Sequence, residues 1–428
     1  MAPLNFWLCY IVNYNDELVP EIYARQVTMK RNTIGVLLLG LILSPAAPAG
    51  QEEKTEQAAP RHLFLNLSLF YPVSLNTSKR DTANLSLSLF YGHLGSVRGL
   101  DLSLGAAAVE ESLEGVQLAG LVAAAGESLK GGQAAGLISV AGDRGEGTQW
   151  AGLGSVAGEA FSGLQVAGLF AVAGERLGGV QAAGLFSVAG QSAKGFQVSG
   201  LFSVAGDDLD GIQVAGLFNV AGGNSRALQV AGLLNVTGET CRGLQVGFIN
   251  VAGRLEGVQI GVVNVAGEIE GVPVGLVNLT RKEDRRIQMA AWAGSVSLLN
   301  AGVKIWAKRF YSILYTGAVN LPQGIESCLA YGFQYGCAFP LRAAGGGGSR
   351  KRIDVDAGYL YLDNSKLFRR FKGTPDRHVY SARGALAIEL SQQVSLIGGL
   401  GLGYKINSGT GLSAGSLFPF AFAGVELF

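Results

Sequence analysis

The feature that most constrains this chain is a repeat of sixteen residues between positions 99 and 280. The stretch GLQVAGLFAVAGERLG at 163–178 is followed at once by GVQAAGLFSVAGQSAK at 179–194. Units open at 99, 115, 131, 147, 163, 179, 195, 211, 227, 243, 257 and 271, so most steps are sixteen residues and the last two are fourteen. A fixed period of this kind predicts a structural unit that stacks on copies of itself.

Apolar residues alternate with small or polar residues inside each unit. In the unit at 163, Leu164, Val166 and Phe170 share one parity, and Gln165 and Ala167 share the other. A period of two predicts extended chain with one apolar face and one small or polar face. The last four or five residues of each unit collect charges and glycines, which is typical of a turn.

Amide side chains recur at two positions of the unit, and we predict that they form a structural ladder from unit to unit. Asp101 and Pro273 replace the first amide in the first and last units, as expected of end caps. The first position carries Gln117, Gln133, Gln149, Gln165, Gln181, Gln197, Gln213, Gln229, Gln245 and Gln259. The second carries Ala123, Ser139, Ser187 and Ser203 in earlier units, then Asn219, Asn235, Asn250, Asn264 and Asn278.

Two all-β architectures satisfy this pattern. In a β-solenoid each unit is one coil of two short strands, with Val and Phe directed inward and the amides stacked. In the alternative, the repeats are themselves strands of one large membrane barrel, each about ten residues long with its apolar face toward lipid. Successive barrel turns face opposite sides of a membrane and favour a doubled period, which these turns lack. The loss of one residue between QVAGLFNVAG and QVGFINVAG indicates a corner, because a deletion inside a strand would exchange its two faces.

The beginning of the chain has the pattern of an export signal. Residues 29–49 combine Lys30 and Arg31 with an apolar run of ten residues and an A-x-A site, which predicts a cleaved signal peptide. We therefore expect Met29 to be the natural start, residues 1–28 to be a non-native N-terminal extension and residues 50–61 to be a polar leader. The net charge of +1 argues against a nucleic-acid partner, which requires a basic surface.

Strands without the repeat flank it on both sides. Residues 62–98 contain LSLFY at 67–71 and again at 87–91, which predicts a pair of strands with the aromatic ends of an outer-membrane barrel. Residues 281–428 contain about eight longer alternating strands. We expect all of these to form an antiparallel outer-membrane barrel that carries the solenoid between its second and third strands.

The last residues resemble the C-terminal assembly signal of bacterial outer-membrane barrels. In that signal an alternating aromatic strand ends on phenylalanine, and the matching positions are Phe418, Phe420, Phe422 and Phe428. Glu426 departs from the signal, which has an apolar residue at that position.

The repeat also resembles a known family. GLQVGFINVAGRLEGVQIGVVNVAGEIEGVPVGLVNL at 243–279 is similar to the GVQIGLINVAG-type units of surface-repeat outer-membrane proteins of Gram-negative bacteria and spirochaetes. The resemblance covers roughly 62–340. It implies an outer-membrane location and a repeat architecture, and it supplies no catalytic residues.

We find no motif for catalysis, a cofactor or a metal, and we predict a protein that is not an enzyme. The chain lacks a G-x-S-x-G motif, and GGLGLGY at 398–404 lies inside a strand rather than before a helix. The histidines stand singly, without Cys or carboxylate at metal-ligand spacing: His62, His93 and His378. The cysteines after the signal are odd in number and are expected to be free: Cys241, Cys328 and Cys337.

Three basic clusters are the remaining candidates for recognition: RKEDRR at 281–286, GGGGSRKR at 345–352 and FRRFKG at 368–373. In loops they would suit lipopolysaccharide phosphates or another extracellular ligand, although ordinary solvated loops have the same composition. The remaining expected partners are outer-membrane lipid and the barrel-assembly machinery.

Two functions follow from these patterns. The first is a non-enzymatic outer-membrane or cell-surface protein with a structural or interaction role that displays the repeat. The alternative is an outer-membrane pore or transport channel whose wall the repeat strands line.

Overall fold

The computed structural model describes residues 60–76, 78–281, 287–320, 327–341, 351–363, 377–391, 393–407 and 416–427. The predicted extension at 1–28, the signal peptide at 29–49 and nearly all of the leader at 50–61 lie outside these residues. The described chain is all-β, with a parallel β-solenoid of about 14 turns followed by a closed barrel of eight antiparallel strands. The described part of the chain has no helix that is long and apolar enough to span a membrane.

The solenoid contains the first twenty-five strands of the described chain. Its first coils contain β1 (His62–Phe70), β2 (Val73–Ser74), β3 (Thr82–Ser103) and β4 (Ala106–Ala119). The regular coils contain β5 (Val122–Ala125), β6 (Ser128–Ala135), β7 (Ile138–Ala141), β8 (Arg144–Ala151), β9 (Gly154–Ala157), β10 (Ala160–Ala167), β11 (Phe170–Ala173), β12 (Arg176–Ala183), β13 (Phe186–Ala189), β14 (Ser192–Ser199), β15 (Phe202–Ala205), β16 (Leu209–Ala215), β17 (Phe218–Ala221) and β18 (Ser225–Ala231). The last coils contain β19 (Leu234–Cys241), β20 (Leu244–Val246), β21 (Ile249–Leu255), β22 (Val258–Ile260), β23 (Val263–Ile269), β24 (Val272–Val274) and β25 (Val277–Thr280).

Each regular coil has three sides separated by glycine corners. In one coil, side A is 176–178, side B is 180–183 and side C is 186–189, and the other coils follow in sixteen-residue register. Gly179 makes the corner between sides A and B with a φ of 118°, a backbone conformation that only glycine adopts at low cost. An added Cβ there would also collide with the carbonyl oxygen of Gly163 in the preceding coil. Glycine is therefore required at this corner in the units that open from 99 to 211, all of which share the positive φ, whereas the next unit opens with Ala227.

The two faces of the repeat point in the opposite directions to those expected. Gln165 and Ala171 are fully buried, whereas Leu164 and Val166 are only partly covered. The prediction that the Val and Phe side chains point into the solenoid is therefore wrong. The interior of a narrow coil accepts amides that stack flat and small residues such as Ala and Ser, and it has no room for a row of aromatic rings. On sides B and C the larger apolar residues therefore lie outside, where Phe170, Phe186 and Phe202 stack in a row with centroids 5.7 and 5.2 Å apart. On side A, large apolar residues such as Phe161 and Leu177 are buried in the core.

The shortened units lose their residues at corners. Val230 pairs with Val246 and Leu234 pairs with Ile249, so one residue disappears between sides B and C. A second residue disappears between Thr237 and Thr240, where the register shifts. The expected corner deletion is confirmed.

The N-terminal strand pair belongs to the solenoid, not to the barrel. The two LSLFY copies lie in parallel strands, with Leu67 beside Leu87 and Ser68 beside Ser88, as identical segments do elsewhere in the repeat. The prediction that residues 62–98 supply two strands of the barrel is thus wrong. The solenoid precedes the barrel instead of lying between its second and third strands.

The barrel contains the eight strands of the C-terminal part, which agrees with the number of about eight expected from the sequence. They are β26 (Ile287–Gly294), β27 (Leu299–Ala307), β28 (Phe310–Asn320), β29 (Ser327–Pro340), β30 (Lys351–Asp363), β31 (Arg377–Glu389), β32 (Val394–Asn407) and β33 (Ser416–Leu427). Strands β26 and β33 close it, with Met289 opposite Leu427. The described repeat strands take no part in its wall.

Candidate functional site

A continuous glutamine ladder runs through the solenoid interior. Each glutamine from Gln133 to Gln259 donates its Nε2 hydrogen to Oε1 of the glutamine in the preceding coil, at 2.8–3.0 Å, and Gln117 donates to Asp101. Most of these amides also donate to a backbone carbonyl of side C, for example Gln181 to Val188 at 3.3 Å. A buried amide is tolerated only with such partners, so the ladder fixes the register of the coils.

A second ladder of asparagines occupies the C-terminal coils and runs in the other direction. Asn219, Asn235, Asn250 and Asn264 each donate to the next asparagine at 2.8–3.0 Å, ending at Asn278. All the predicted ladder residues thus lie in two stacked rows of the interior.

The asparagine ladder ends on the outer wall of the barrel. Asn278 donates to the Ser312 hydroxyl at 3.1 Å, and that hydroxyl donates to the Gly275 carbonyl at 2.9 Å. The Tyr335 hydroxyl donates to the Pro273 carbonyl at 2.6 Å. Ala307 is fully buried in a cluster with Cys241, Leu255 and Ile269 of the solenoid core. Outward-facing residues of β27, β28 and β29 therefore cap the last coil.

The glutamine ladder has an unmatched atom at each end. Asp101 has one carboxylate oxygen without a hydrogen-bond partner. Burial raises the pKa of this carboxyl group, and the hydrogen bond from Gln117 offsets part of that increase. Gln259 has an unpartnered Oε1 because Pro273 stands where the next donor would be.

The outside of the solenoid is divided between apolar and charged sides. Two rows of side B face outward: one includes Leu118 and Trp150, which are 44% and 50% exposed, and the other includes Phe196, which is 48% exposed. Side C presents the phenylalanine row, with leucines at its corner such as Leu169. Side A carries the charges, and these pair between coils: Arg242 with Glu256 at 2.6 Å, Arg254 with Glu270 at 2.6 Å and Arg98 with Glu114 at 3.9 Å.

The apolar surface deepens into a groove at the N-terminal coils. The groove encloses about 1160 Å³ and is lined by leucines and serines of β1–β4 and the adjoining coil, with no charged residue in its lining. Leu69, Leu89 and Leu104 belong to it. Its chemistry suits an aliphatic chain rather than a polar metabolite.

The outer surface of the barrel is almost entirely apolar. Ile353, Val355, Leu400 and Leu402 are exposed, and Lys351 at the start of β30 is the one charged side chain that faces outward among the described strand residues. Outward-facing tyrosines form a row toward the end of the barrel away from the solenoid: Tyr331, Tyr359, Tyr361, Tyr380 and Tyr404.

The interior of the barrel contains a buried charged network. Lys304 donates to Asp354 and to Glu426 at 2.7 Å each, and Arg352 also contacts both carboxylates. At a neighbouring level Arg383 donates to both oxygens of Asp356 at 2.7 and 3.0 Å.

Aromatic rings complete the packing around this network. The Lys304 ammonium lies 3.9 Å from the centroid of the Tyr311 ring and 4.4 Å from that of Trp306. The enclosed space among these side chains is about 10 Å³. That volume is at the lower limit for a single water, so the barrel is closed at this level.

Sequence reasoning missed this charged interior, although a signal was present. In RIDVDAG, Asp354 and Asp356 alternate with Ile353 and Val355, which are the inward and outward positions of one barrel strand. Glu426, read as a departure from the C-terminal signal, is the inward partner of Lys304 and Arg352.

The predicted C-terminal signal residues lie on the inward side of β33. Phe418, Phe420 and Phe422 alternate with exposed Leu417 and Ala421, and their neighbouring ring centroids are 6.3 and 6.5 Å apart. Phe428 lies outside the described residues. Their role as an assembly signal stays a prediction.

The histidines and cysteines form no metal cluster within the described residues. His93 contacts the Tyr91 hydroxyl at 2.7 Å and Glu110 at 2.8 Å. Burial and the Glu110 charge raise the pKa of Tyr91, so this chain of contacts does not activate the phenol as a nucleophile. His378 contacts the Tyr359 hydroxyl at 2.7 Å, and His62 begins β1 on the surface.

Cys241 and Cys337 are free thiols. Strand β29 contains both Cys328 and Cys337. The side chain of Cys328 is not among the described ones.

Most residues of the three predicted basic clusters are not described by the structure. Residues 282–286, 345–350 and 368–373 lie outside the described residues. Arg352, the last residue of the second cluster, points into the barrel, where Asp354 and Glu426 neutralise it.

Comparison with protein-family models, with curated proteins and with solved structures found no match to this chain.

Proposed function

We propose that this chain is a non-enzymatic outer-membrane protein, in which the eight-stranded barrel is a membrane anchor and the repeat solenoid is the structural or interaction module that it holds. The observation that carries the proposal is the outer surface of the barrel. Among the described strand residues its outward positions are almost entirely apolar and carry one charge, Lys351, with tyrosines toward one end and the other charges turned inward. A water-soluble barrel has the reverse pattern, whereas a lipid-facing barrel requires this one.

The closed interior favours an anchor over the pore. The paired charges of Lys304, Asp354 and Glu426 and the packed rings leave no channel at their level, and eight-stranded barrels are commonly filled by side chains. The glutamines and asparagines of the two ladders face the inside of the solenoid rather than a lumen. Export through the signal at 29–49 and the resemblance to surface-repeat proteins agree with an outer-membrane location.

A charge on the lipid-facing wall tests the anchor. The full chain is produced from Met29 in a Gram-negative host, and outer-membrane insertion is followed by the gel shift between unheated and boiled samples. Leu400 is 71% exposed near the middle of β32, and Leu400→Lys is expected to reduce insertion because a lysine at mid-bilayer costs about 2–4 kcal/mol.

Lys194→Glu, on the charged side A, is the matched control and is expected to insert normally. Parent protein in the soluble fraction, or Leu400→Lys inserting as well as the parent, would contradict the proposal.

A further inference from the structure

The solenoid has far more exposed apolar surface than a protein in water normally carries. Sides B and C are apolar along the stack, which at about 4.8 Å per coil extends for roughly 60 Å over the twelve units. Four residues of strand give each side a width of about 13 Å, so each side presents on the order of 800 Å². The largest apolar patch on a typical soluble monomer is about 300–600 Å².

The attachment to the barrel sets the direction of the solenoid. The asparagine ladder follows the solenoid axis, and its next member after Asn278 is Ser312 on the outer wall of the barrel. An axis that meets the wall end-on runs across the barrel axis. In a membrane-embedded barrel, it therefore runs along the membrane plane.

The attachment also sets the level of the solenoid. Ser312 is the third residue of β28, so it lies about 10 Å along the strand from the turn at 308–309. The apolar band of a membrane barrel is about 25 Å tall, so this position is near one edge of the band. Side B meets the wall at Tyr335 and side C meets it at Ser312, whereas side A packs on Ala307, which is closer to the turn. Sides B and C are therefore the ones that continue the lipid-facing wall.

The strand connections identify which edge this is. At the solenoid end the connections are 308–309, 341–350 and 390–393, and at the other end they are 295–298, 321–326, 364–376 and 408–415. Both ends of the barrel chain, at Ile287 and Leu427, also lie at the solenoid end. Two of the three solenoid-end connections have two and four residues and the third has ten, whereas those at the other end have four, six, thirteen and eight. The solenoid end thus has the shorter turns on average, which is typical of the periplasmic end of outer-membrane barrels.

From these observations, and resting on the proposed function, we infer that the solenoid lies along the periplasmic phospholipid surface of the membrane that holds the barrel. Its apolar sides B and C are immersed among lipid chains and its charged side A faces water. The segregation of charge onto one side is the arrangement of an amphipathic element at a membrane interface. The groove of the N-terminal coils opens among side B residues such as Leu118 and becomes part of the same lipid contact.

Spin-label accessibility tests this inference on the full chain in phosphatidylethanolamine–phosphatidylglycerol vesicles. Labels are attached to Phe196→Cys on side B, to Lys194→Cys on side A of the same coil and to Leu400→Cys on the barrel wall, with the native cysteines replaced by alanine. Oxygen partitions into lipid and a nickel chelate stays in water, so the ratio of the two relaxation effects reports immersion. We expect the Phe196 label to resemble the Leu400 label, with at least a tenfold higher oxygen-to-nickel ratio than the Lys194 label.

Each other outcome overturns a defined statement. If the Phe196 label is accessible to nickel while the Leu400 label is immersed in lipid, the solenoid does not lie in the membrane interface. The proposal that the barrel is a membrane anchor would then still stand. A Phe196 label shielded from both reagents and broadened by a neighbouring label shows a second copy of the chain on side B instead of lipid. A Leu400 label open to nickel rejects the anchor itself, and the inference with it.

Discussion

At the scale of single residues, buried amides hold this molecule together. Most proteins bury apolar side chains and expose polar ones, but the solenoid buries Gln181 and leaves Phe196 outside. An amide withdrawn from water is stable only when its hydrogen bonds are replaced, and here each coil replaces those of the next. The ladder therefore makes every coil depend on its neighbours.

Removing one member of the ladder is expected to destabilise the solenoid. Gln181→Leu keeps the size of the side chain, but it takes the donor from Gln165 and the acceptor from Gln197. Each buried group left unsatisfied costs about 1–3 kcal/mol, and Gln197 retains its bond to Val204. The denaturant midpoint of the strand signal in circular dichroism should fall, whereas Lys194→Gln on side A should leave it unchanged. Equal midpoints for Gln181→Leu and the parent would contradict a stabilising role for the ladder.

The terminal carboxyl group of the ladder predicts a dependence on pH. Burial raises the pKa of Asp101 in the folded protein. Ionisation of this carboxyl group is therefore less favourable in the folded protein than in the unfolded chain, and the charged carboxylate lowers the free energy of unfolding. Asp101→Asn removes that cost and should raise the thermal midpoint at pH 7. The advantage should shrink as the pH falls through the folded pKa and vanish below the unfolded value of about 3.9. Thermal melts of both proteins at pH 3.5, 5 and 7 measure it, and an advantage that is the same at all three values would exclude titration of Asp101 as its source.

At the scale of elements, the alternation of the repeat predicted strands and corners correctly but assigned the faces the wrong way. The interior position of side B varies little in size, as in Gln165, Gln181 and Gln197, whereas the outer position beside it is Leu164, Val180 or Phe196. A packed interior tolerates few changes of volume, so the variable row marks the outside. Hydrophobicity alone could not reveal this, because the outside of this solenoid is the more apolar surface.

The corners give a prediction for adjacent glycines. Gly179→Ala introduces a Cβ at a φ of 118° and against the Gly163 carbonyl, which should cost at least about 1–3 kcal/mol. In Gly178→Ala the new Cβ approaches no atom closer than 3.6 Å, and φ is ordinary. The denaturant midpoint should fall for the first variant and not for the second. Two equal decreases would show that the loss of glycine, rather than the corner geometry, matters.

At the scale of the whole molecule, the sequence predicted both modules and missed how they join. The eight C-terminal strands could be read from their alternation and lengths. The N-terminal strands resembled barrel strands because an apolar outer face occurs on both modules. The interface between the solenoid and the barrel depends on contacts between residues distant in sequence, such as Asn278 with Ser312 and Tyr335 with Pro273. Local sequence patterns do not predict such contacts. The charged interior of the barrel likewise assembles from separate strands, through Lys304, Asp354 and Glu426.

The central claim is that the barrel is a membrane module complete in itself and that the repeats form no part of its wall. Its most direct test is a chain that keeps the export signal and leader but lacks residues 62–280. Outer-membrane insertion and the gel shift between unheated and boiled samples are measured beside the intact chain. We predict that the shortened protein inserts and shifts, because all eight wall strands remain. Failure to insert, with the intact chain inserting normally, would contradict the claim and show that the repeat region is needed to build the barrel.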